Sequence, residues 1–307
     1  MLSVENARLE KIEHPLFDEK NVQVFVQRDD LIHPLVSGNK WRKLKYNLLA
    51  WKNSKKEGVL TFGGAYSNHL LATAAACQLE NIPCIGMVRG EELNPQSNDT
   101  LAQCSALGMR LIFMDRMTYQ MRDDKQFIEE LSYEYPNYYI IPEGGANYYG
   151  MIGCQEIVKD FPSDIQAVFV AQGTTTTSSG ILLGLSEQQS LFVVPALKGF
   201  DVAAEMEHRW RYAGFPDELW EEKQNQLQIK TVDQFGGYGK WNEELIQFIK
   251  GFYQLTKLPL DVVYTGKAMY ALMEEIKRDQ FNHQQVIFVH TGGLQGNPEE
   301  LKYLFTL

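Results

Sequence analysis

The chain has few cysteines, no excess of positive charge and no long apolar run, and each scarcity narrows the class of protein. Four cysteines occur among 307 residues, none in a CxxC spacing, which predicts reduced, mostly buried thiols in a cytoplasmic protein. The 29 basic residues are outnumbered by 39 acidic ones, and a net charge of −10 is unsuited to binding nucleic acid. No apolar stretch approaches the ~20 residues of a membrane span. The polar, acidic residues 1–13 do not have the pattern of a signal peptide.

The composition is that of an ordinary soluble globular protein, and the pattern along it is an alternation of strands and helices. Hydrophobic residues make up 44% and charged residues 22%, and the length is comfortable for two domains. Short β-rich runs alternate with helical spacing in two series, which predicts parallel sheets covered by helices. Two such series imply two α/β domains with a cleft between them, a usual place for a cofactor. Strands are predicted at 22–26, 59–62, 84–88, 111–114, 138–141, 167–170, 191–194 and 286–290, and helices at 39–56, 67–79, 99–107, 125–133 and 267–278, with two more after Thr177 and Asp201.

A loop of small and hydroxylated residues at 173–180 is a candidate anion site. It follows an apolar strand and opens a helix, so several N–H groups point outward together and the helix dipole adds positive potential. A polar turn that merely caps a helix would look similar. It is not a nucleotide-binding P-loop, because no Gly-Lys-Ser/Thr ends it. The candidate phosphate-binding residues are Gly173, Thr174, Thr175, Thr176 and Thr177.

Lys40 stands at the start of a predicted helix, where the dipole favours the neutral amine over the ammonium. Only a neutral amine attacks an aldehyde, so the position suits a Schiff-base lysine. Such a lysine and an anion cradle are the two anchors that pyridoxal phosphate needs. The ordinary alternative is a solvated lysine beside Lys43 and Lys45.

The segment 63–69 is a strand-to-helix turn that carries three hydrogen-bonding side chains, Ser67, Asn68 and His69. Its N–H groups could hold a carboxylate while Asn68 bonds a phenolic oxygen. His69 has no other histidine at helical metal spacing, so no metal site is predicted. The glycine-rich bend at 142–146 is as consistent with a chain reversal as with a cofactor contact, and 236–239 is the most loop-like segment.

Taken in order, these segments resemble the fold type II pyridoxal-phosphate enzymes, the tryptophan synthase β-like group. Within that group the chain is most similar to the aminocyclopropane carboxylate deaminase and D-cysteine desulfhydrase family, from about Arg28 to the glycines after His290. The most specific stretches are Arg28-Asp29-Asp30-Leu31, Ser37-Gly38-Asn39-Lys40 and Arg42-Lys43-Leu44.

The resemblance implies roles for individual residues. Lys40 would be the Schiff-base lysine and the base that takes the α-proton. Ser67 and His69 would bind the substrate carboxylate, and Asn68 would contact the cofactor ring. The loop 173–180 would hold the phosphate. Two tyrosines would face the substrate as acid–base or leaving-group partners, Tyr264 and Tyr238.

The resemblance also implies an architecture. Two open parallel-sheet α/β domains would enclose the cofactor cleft, a larger pyridoxal-phosphate-binding domain from residues 1–47 and 156–307 and a smaller one from 48–155. A homodimer is expected, acting on a small amino acid, with neither nucleic acid nor membrane as a partner.

Two threonines favour β-elimination over deamination. The deaminases carry Glu where this chain has Thr265 and Leu where it has Thr291, and the desulfhydrases resemble this chain at both positions. A carboxylate beside the pyridine nitrogen keeps it protonated and the ring strongly electron-accepting, whereas a threonine hydroxyl leaves the ring nearer neutral. A weaker electron sink suffices for a good leaving group such as thiolate. The predicted reaction is D-cysteine to pyruvate, sulfide and ammonia, with both threonines as cofactor contacts.

Three departures from the family pattern leave other readings open. Thr175 stands where the family usually has glycine, Lys240-Trp241 stand where an apolar residue and proline are common, and residues 200–236 match weakly. The alternatives are deamination of aminocyclopropane carboxylate, or a pyridoxal-phosphate-binding carrier or sensor with little turnover.

Overall fold

A computed structural model describes residues 6–36, 38–199 and 201–306, with the side chain of the last residue left out. Ser37 of the predicted Ser-Gly-Asn-Lys motif, Phe200 at the start of the weakly matching segment and the first five residues lie outside the described residues. Within the described ranges, no helix combines the length and apolar character that crossing a bilayer requires.

The larger sheet has six strands among the described residues, in the order β1-β2-β10-β7-β8-β9. All neighbours are parallel except β1, which pairs antiparallel with β2. Every residue of β7 is buried, as expected for a central strand covered on both faces. The strands are β1 (Leu9–Ile12), β2 (Gln23–Arg28), β7 (Ala167–Gln172), β8 (Ser190–Pro195), β9 (Leu227–Ile229) and β10 (Gln285–His290).

The smaller sheet has four strands among the described residues, in the order β5-β4-β3-β6, and all its neighbours are parallel. They are β3 (Gly58–Gly63), β4 (Cys84–Arg89), β5 (Arg110–Met114) and β6 (Tyr138–Ile141). Because these strands are continuous in sequence and interrupt the larger sheet, the predicted fold of two parallel-sheet α/β domains is confirmed. The exact boundaries at 47/48 and 155/156 stay predictions, and the helix Asn39–Ser54 runs across the first.

Helices flank both sheets. Every helix predicted from the sequence is present, and six helices that were not predicted lie at 15–20, 116–120, 148–155, 217–223, 243–256 and 299–306. The bounds are α1 (Pro15–Lys20), α2 (Asn39–Ser54), α3 (Asn68–Leu79), α4 (Asp99–Ala106), α5 (Arg116–Gln120), α6 (Lys125–Glu134), α7 (Tyr148–Gln155), α8 (Thr176–Gly184), α9 (Val202–Tyr212), α10 (Asp217–Lys223), α11 (Glu243–Thr256), α12 (Thr265–Lys277) and α13 (Glu299–Thr306).

Helix α7 packs against both α2 and α8, and two glycines make this close approach possible. A Cβ on Gly153 would lie 1.9 Å from the carbonyl oxygen of Arg42 in α2. A Cβ on Gly180 of α8 would lie 2.4 Å from the carbonyl oxygen of Met151 in α7. Any side chain at these positions would push the backbones apart. The start of α2 and the start of α8, which carry Lys40 and the anion loop, are therefore held at a set distance by α7.

Candidate active site

A cavity of ≈ 690 Å³ lies where the carboxyl ends of strands from both sheets meet. Its walls come from the segments after β3, β6, β7 and β10 and from the first turn of α2. This edge is where ligands bind in open parallel sheets. Of the predicted site residues, those that line it are Lys40, Ser67, Asn68, His69, Gly173, Thr174, Thr175, Thr177, Tyr238, Tyr264 and Thr291. Thr176 and Thr265 do not.

Lys40 is placed by a glycine that no other residue could replace. Gly38 has φ +62°, and a Cβ there would lie 1.9 Å from the carbonyl oxygen of Thr291. This contact sets the first turn of α2 against the segment that follows β10. Asn39 then links the two predicted anchors, because its Nδ2 donates to Thr177 Oγ1 at 2.9 Å and its Oδ1 accepts from Lys40 Nζ at 3.0 Å.

The pKa of the Lys40 amine lies closer to neutral pH than that of an ordinary lysine. Burial lowers its pKa to about 8, and the buried thiol of Cys154 opposes the shift. At this pKa roughly a tenth of the amine is uncharged at pH 7, far more than for an ordinary lysine. Nucleophilic attack on an aldehyde requires this uncharged form.

The start of α8 has the free hydrogen-bonding groups of an anion site. Thr175 precedes the helix without a side-chain cap. Eight other helices among the described residues do have one, from His14, Ser67, Asn98, Asp115, Asp124, Asn147, Asp201 and Asn242. The N–H groups of the first turn are therefore available to a ligand. The hydroxyls of Thr175, Thr176 and Ser179 are buried without a protein partner. Of the three, Thr175 lines the cavity, and its unpaired hydroxyl together with the free N–H groups fits the phosphate of pyridoxal phosphate.

Lys43 is a site residue that the sequence interpretation missed. It is only 1% exposed, lines the cavity, and its Nζ donates to Thr174 Oγ1 at 3.1 Å. Burial, followed by the charges of Lys40 and Arg209, lowers its pKa to about 7. The available signal was its position three residues after Lys40, which puts both amines on one face of α2. A bound phosphate would offset the charge that Lys43 carries when protonated.

The turn after β3 positions Ser67, Asn68 and His69 on the opposite wall. Ser67 caps α3, its Oγ accepting from Leu70 N at 3.2 Å. His69 is buried, with Nε2 2.9 Å from Thr61 Oγ1, and its Nδ1 has no hydrogen-bond partner among the described residues. Burial and the charges of Lys40 and Lys43 lower the His69 pKa to about 3, so this imidazole is neutral.

The two predicted tyrosines meet at the cavity. The rings of Tyr264 and Tyr238 lie 6.0 Å apart in an edge-to-face arrangement. Burial and the neighbouring Tyr238 raise the pKa of Tyr264 well above its usual value, so its hydroxyl stays protonated. Tyr238 is 54% exposed and lies in the loop that Lys267 Nζ holds by donating to the Gly237 carbonyl at 3.0 Å. One hydroxyl is therefore inside the site and the other near its mouth.

The two threonines used to choose the reaction have different surroundings. Thr291 lines the cavity, directly after β10. Thr265 is buried, and its hydroxyl donates to Asp261 Oδ2 at 2.6 Å. The same carboxylate accepts from the backbone N–H groups of Val263, Tyr264 and Thr265, so it anchors the start of α12. Thr291 can therefore contact a ligand in the cavity, whereas the hydroxyl of Thr265 is already hydrogen-bonded within the protein.

A further wall comes from Glu143 in the predicted bend and from three residues with no signal in the sequence, Arg89, Tyr119 and Arg122. Glu143, in the predicted bend, accepts from the Tyr119 hydroxyl at 2.7 Å and from Arg122 Nε at 2.5 Å. These three line the cavity together with Arg89, the last residue of β4. They come from three separate segments of the smaller domain and meet only in the folded chain.

Comparison with known proteins shows which family the chain is similar to. Residues 5–292 match the model of the family described as pyridoxal-phosphate dependent enzyme. A putative 1-aminocyclopropane-1-carboxylate deaminase of Pyrococcus abyssi is 33% identical over 91% of this chain and 86% of its own length. A D-cysteine desulfhydrase of Klebsiella pneumoniae is 28% identical over 91% of this chain and 89% of its own. The crystal structure of an ACC deaminase homologue, 25% identical, superposes with a TM-score of 0.82 over 100% of this chain and 95% of that one.

Proposed function

The chain belongs to the pyridoxal-phosphate dependent enzyme family, and on that premise we propose that it is a lyase that removes a β-substituent and the amino group from a small amino acid. D-cysteine, giving pyruvate, sulfide and ammonia, is the proposed substrate. A relative named D-cysteine desulfhydrase matches over nearly the whole of both chains, which supports this choice.

The observation that carries the proposal is the composition of one cavity. It brings together, from distant parts of the chain, Lys40 with its lowered pKa, the uncapped start of α8 and the polar turn at 67–69. On the wall after β10 it presents the hydroxyl-bearing Thr291 where the deaminases carry leucine. Of the two positions that distinguish the reactions, Thr291 is thus the one that can contact a ligand in the cavity.

Pyridoxal phosphate supplies an aldehyde that condenses with amines and a ring that accepts electrons from the substrate. The protein's part begins with binding. The N–H groups at the start of α8, the Thr175 hydroxyl and the Lys43 ammonium would hold the phosphate. Asn39, which is bonded to both Thr177 and Lys40, keeps Lys40 beside the loop. Ser67 and Asn68 lie on the wall where the substrate carboxylate would be bound.

Proton movement falls to Lys40 and the tyrosine pair. Lys40 Nζ, with a pKa of about 8, can take the α-proton as a neutral amine and carry it as an ammonium. The buried Tyr264 hydroxyl is held protonated and can donate to a leaving thiolate, and Tyr238 lies between it and the solvent. These residue roles are proposals that rest on the positions of the atoms on the cavity wall.

Deamination of 1-aminocyclopropane-1-carboxylate is the second candidate, because the relative that is 33% identical bears that name. The two reactions need different strengths of electron sink. They are separated by offering both substrates to one preparation.

The test is product formation by purified, cofactor-loaded protein. We expect sulfide and pyruvate from D-cysteine, less or none from L-cysteine, and no turnover of either by Lys40→Ala. Ammonia and 2-oxobutanoate from the cyclopropane substrate alone would establish the second candidate instead. Cofactor binding without product from any small amino acid would refute both and leave a carrier or sensor.

We further propose a cytoplasmic homodimer. All four cysteines are buried and free, which is consistent with a reducing compartment. Sedimentation of the loaded protein at about twice the mass of one chain would support the dimer, and a monomer would refute it.

A further inference from the structure

The hydroxyl of Thr61 determines which nitrogen of His69 carries a hydrogen. Thr61 Oγ1 lies 2.8 Å from the carbonyl oxygen of Ile141 and 2.9 Å from His69 Nε2. Two oxygens at 2.8 Å repel unless a proton lies between them, and the carbonyl has none to give. The single hydroxyl proton must therefore point at Ile141. The contact to the ring can then be a hydrogen bond only if Nε2–H is the donor.

The other nitrogen of His69 is left as a bare acceptor. With the hydrogen on Nε2, Nδ1 of the neutral ring has a lone pair and no proton. Nδ1 is buried and has no partner among the described residues. Protonation is disfavoured, because burial and the charges of Lys40 and Lys43 lower the pKa of this ring to about 3. His69 can thus accept a hydrogen bond in the cavity but cannot donate one.

A bare acceptor does not suit a substrate carboxylate, which also has no proton to offer. It suits an N–H donor, and Lys40 has unused ones. An ammonium has three donor positions, and Lys40 Nζ uses one on Asn39 Oδ1. Lys43, the other nearby amine, is bound to Thr174 Oγ1 at the phosphate loop. Lys40 lines the same cavity as His69, and its bond to Asn39 leaves it free of the phosphate loop's Thr174.

We propose that His69 is a positioning residue for the base, its Nδ1 accepting a hydrogen bond from the Lys40 ammonium whenever Lys40 holds a proton. The inference rests on the proposed function, in which Lys40 takes the α-proton. It replaces the expected contact between the His69 side chain and the substrate carboxylate, which is left to Ser67, Asn68 and the backbone of the turn. By holding the ammonium, His69 makes Lys40 a stronger base and fixes its direction. The other titratable groups around the pair are Lys43 on α2, Cys154 on α7, Arg209 on α9, Glu143, Tyr238 and Tyr264.

The tautomer can be read directly by ¹⁵N NMR of the full chain labelled with ¹⁵N-histidine. Spectra of the wild-type protein and of His69→Gln identify the His69 signals. We expect Nε2 protonated and Nδ1 unprotonated from mildly acidic to mildly alkaline pH, with and without cofactor. A hydrogen on Nδ1, or an imidazolium near neutral pH, would overturn the proposal. This measurement needs neither turnover nor a variant that behaves like the wild type.

A matched pair of variants separates the acceptor from the structural bond to Thr61. In His69→Gln the side-chain amide reaches the Nε2 position and can still donate to Thr61, but nothing replaces Nδ1. In His69→Asn the amide oxygen takes the Nδ1 position and the bond to Thr61 is lost. The readout is the pH midpoint at which Lys40 reacts with an acylating reagent in cofactor-free protein, followed by mass spectrometry of its peptide.

Losing the acceptor destabilises the ammonium, so the midpoint for His69→Gln should fall by about one pH unit while His69→Asn stays near the wild type. An unchanged midpoint in His69→Gln, or an equal shift in both variants, would overturn the role of Nδ1. Neither measurement uses D-cysteine. If no sulfide is formed, the proposed function fails while these results still decide whether His69 supports Lys40.

Discussion

Two lysines one turn apart on α2 have different partners and therefore different tasks. Lys40 Nζ is bound to Asn39 Oδ1, whereas Lys43 Nζ is bound to Thr174 Oγ1 in the loop that offers free N–H groups. The positive charge of Lys40 also helps to lower the pKa of Lys43. A dianionic phosphate at the start of α8 would restore the charge of Lys43 and leave Lys40 free to react.

Removing the charge of Lys43 should weaken cofactor binding through the phosphate. For Lys43→Met, which keeps the apolar stem, we expect the Kd for pyridoxal phosphate to rise roughly 10- to 100-fold, the range of one charge-assisted hydrogen bond. The measurement is a titration of cofactor-free protein by absorbance. Lys45→Met is the matched control, because Lys45 pairs with Glu156 outside the cavity. An equal loss of affinity for pyridoxal, which has no phosphate, would contradict the assignment.

Thr291 and Thr265 are the same residue type, but one faces the ligand cavity and the other stabilises the fold. Thr291 stands on the cavity wall, while the hydroxyl of Thr265 completes the set of donors around the buried carboxylate of Asp261. Removing a donor from a buried carboxylate is costly, since the charge stays behind without that bond. Substrate preference should therefore depend on Thr291 and stability on Thr265.

Single substitutions test this division. Thr265→Val should lower the free energy of unfolding by about 1–3 kcal/mol and leave the ratio of D-cysteine to cyclopropane turnover unchanged. Thr291→Leu should change that ratio with little effect on stability. Denaturant unfolding and paired assays measure the two quantities. A changed ratio in Thr265→Val would instead support the original expectation that both threonines contact the cofactor.

Among the elements, α7 shows why part of the site could not be predicted. The strand–loop–helix pattern around α8 and the Ser67 cap of α3 are local signals, and the structure has both elements where the sequence predicts them. Helix α7 contains Gly150 and Gly153, which disfavour a helix locally, and forms because tertiary packing needs small residues there. The strands β1 and β9 have four and three residues and show too little periodicity to detect.

A side chain between α7 and α2 should damage both stability and the site. In Gly153→Ala the new Cβ would lie 1.9 Å from the Arg42 carbonyl oxygen, so α2 must shift. We expect a loss of about 1–3 kcal/mol of stability together with weaker cofactor binding, because Lys40 and Lys43 lie on the displaced helix. Gly251→Ala in α11 is the control. Its Cβ would meet nothing within 4 Å, and the protein should become about 0.5–1 kcal/mol more stable. Equal effects at both glycines would refute the packing argument.

At the scale of the molecule, the cavity exists because the chain leaves the larger sheet, builds the smaller one and returns. Lys40 precedes that excursion and the anion loop follows it, so their meeting is a consequence of topology. The structure of a motif could be predicted where it depends on residues that are close in sequence. Lys43 and the wall formed by Tyr119, Arg122 and Glu143 could not be predicted, because their surroundings are set by residues far away in sequence.

The buried lysines also predict how the whole molecule responds to pH. Burial lowers the pKa of Lys43 from its usual 10.5 to about 7, so between these values the unfolded chain holds a proton that the folded chain lacks. Stability then rises with pH, because the unfolded state binds more protons, by about 1.4 kcal/mol per pH unit for one such group. Below about pH 7 both states are protonated and this contribution to the slope vanishes.

Denaturant unfolding of cofactor-free protein in steps upward from pH 7 measures this slope, with Lys43→Met as the comparison. The substituted protein cannot bind that proton in either state, so its stability should rise less steeply over the same range. Loading with pyridoxal phosphate should also flatten the wild-type curve, because a phosphate beside Lys43 favours the ammonium in the folded state. If the wild-type and Lys43→Met curves run parallel, Lys43 is not desolvated in solution, and the buried amine at the phosphate loop must be abandoned as a feature of the site.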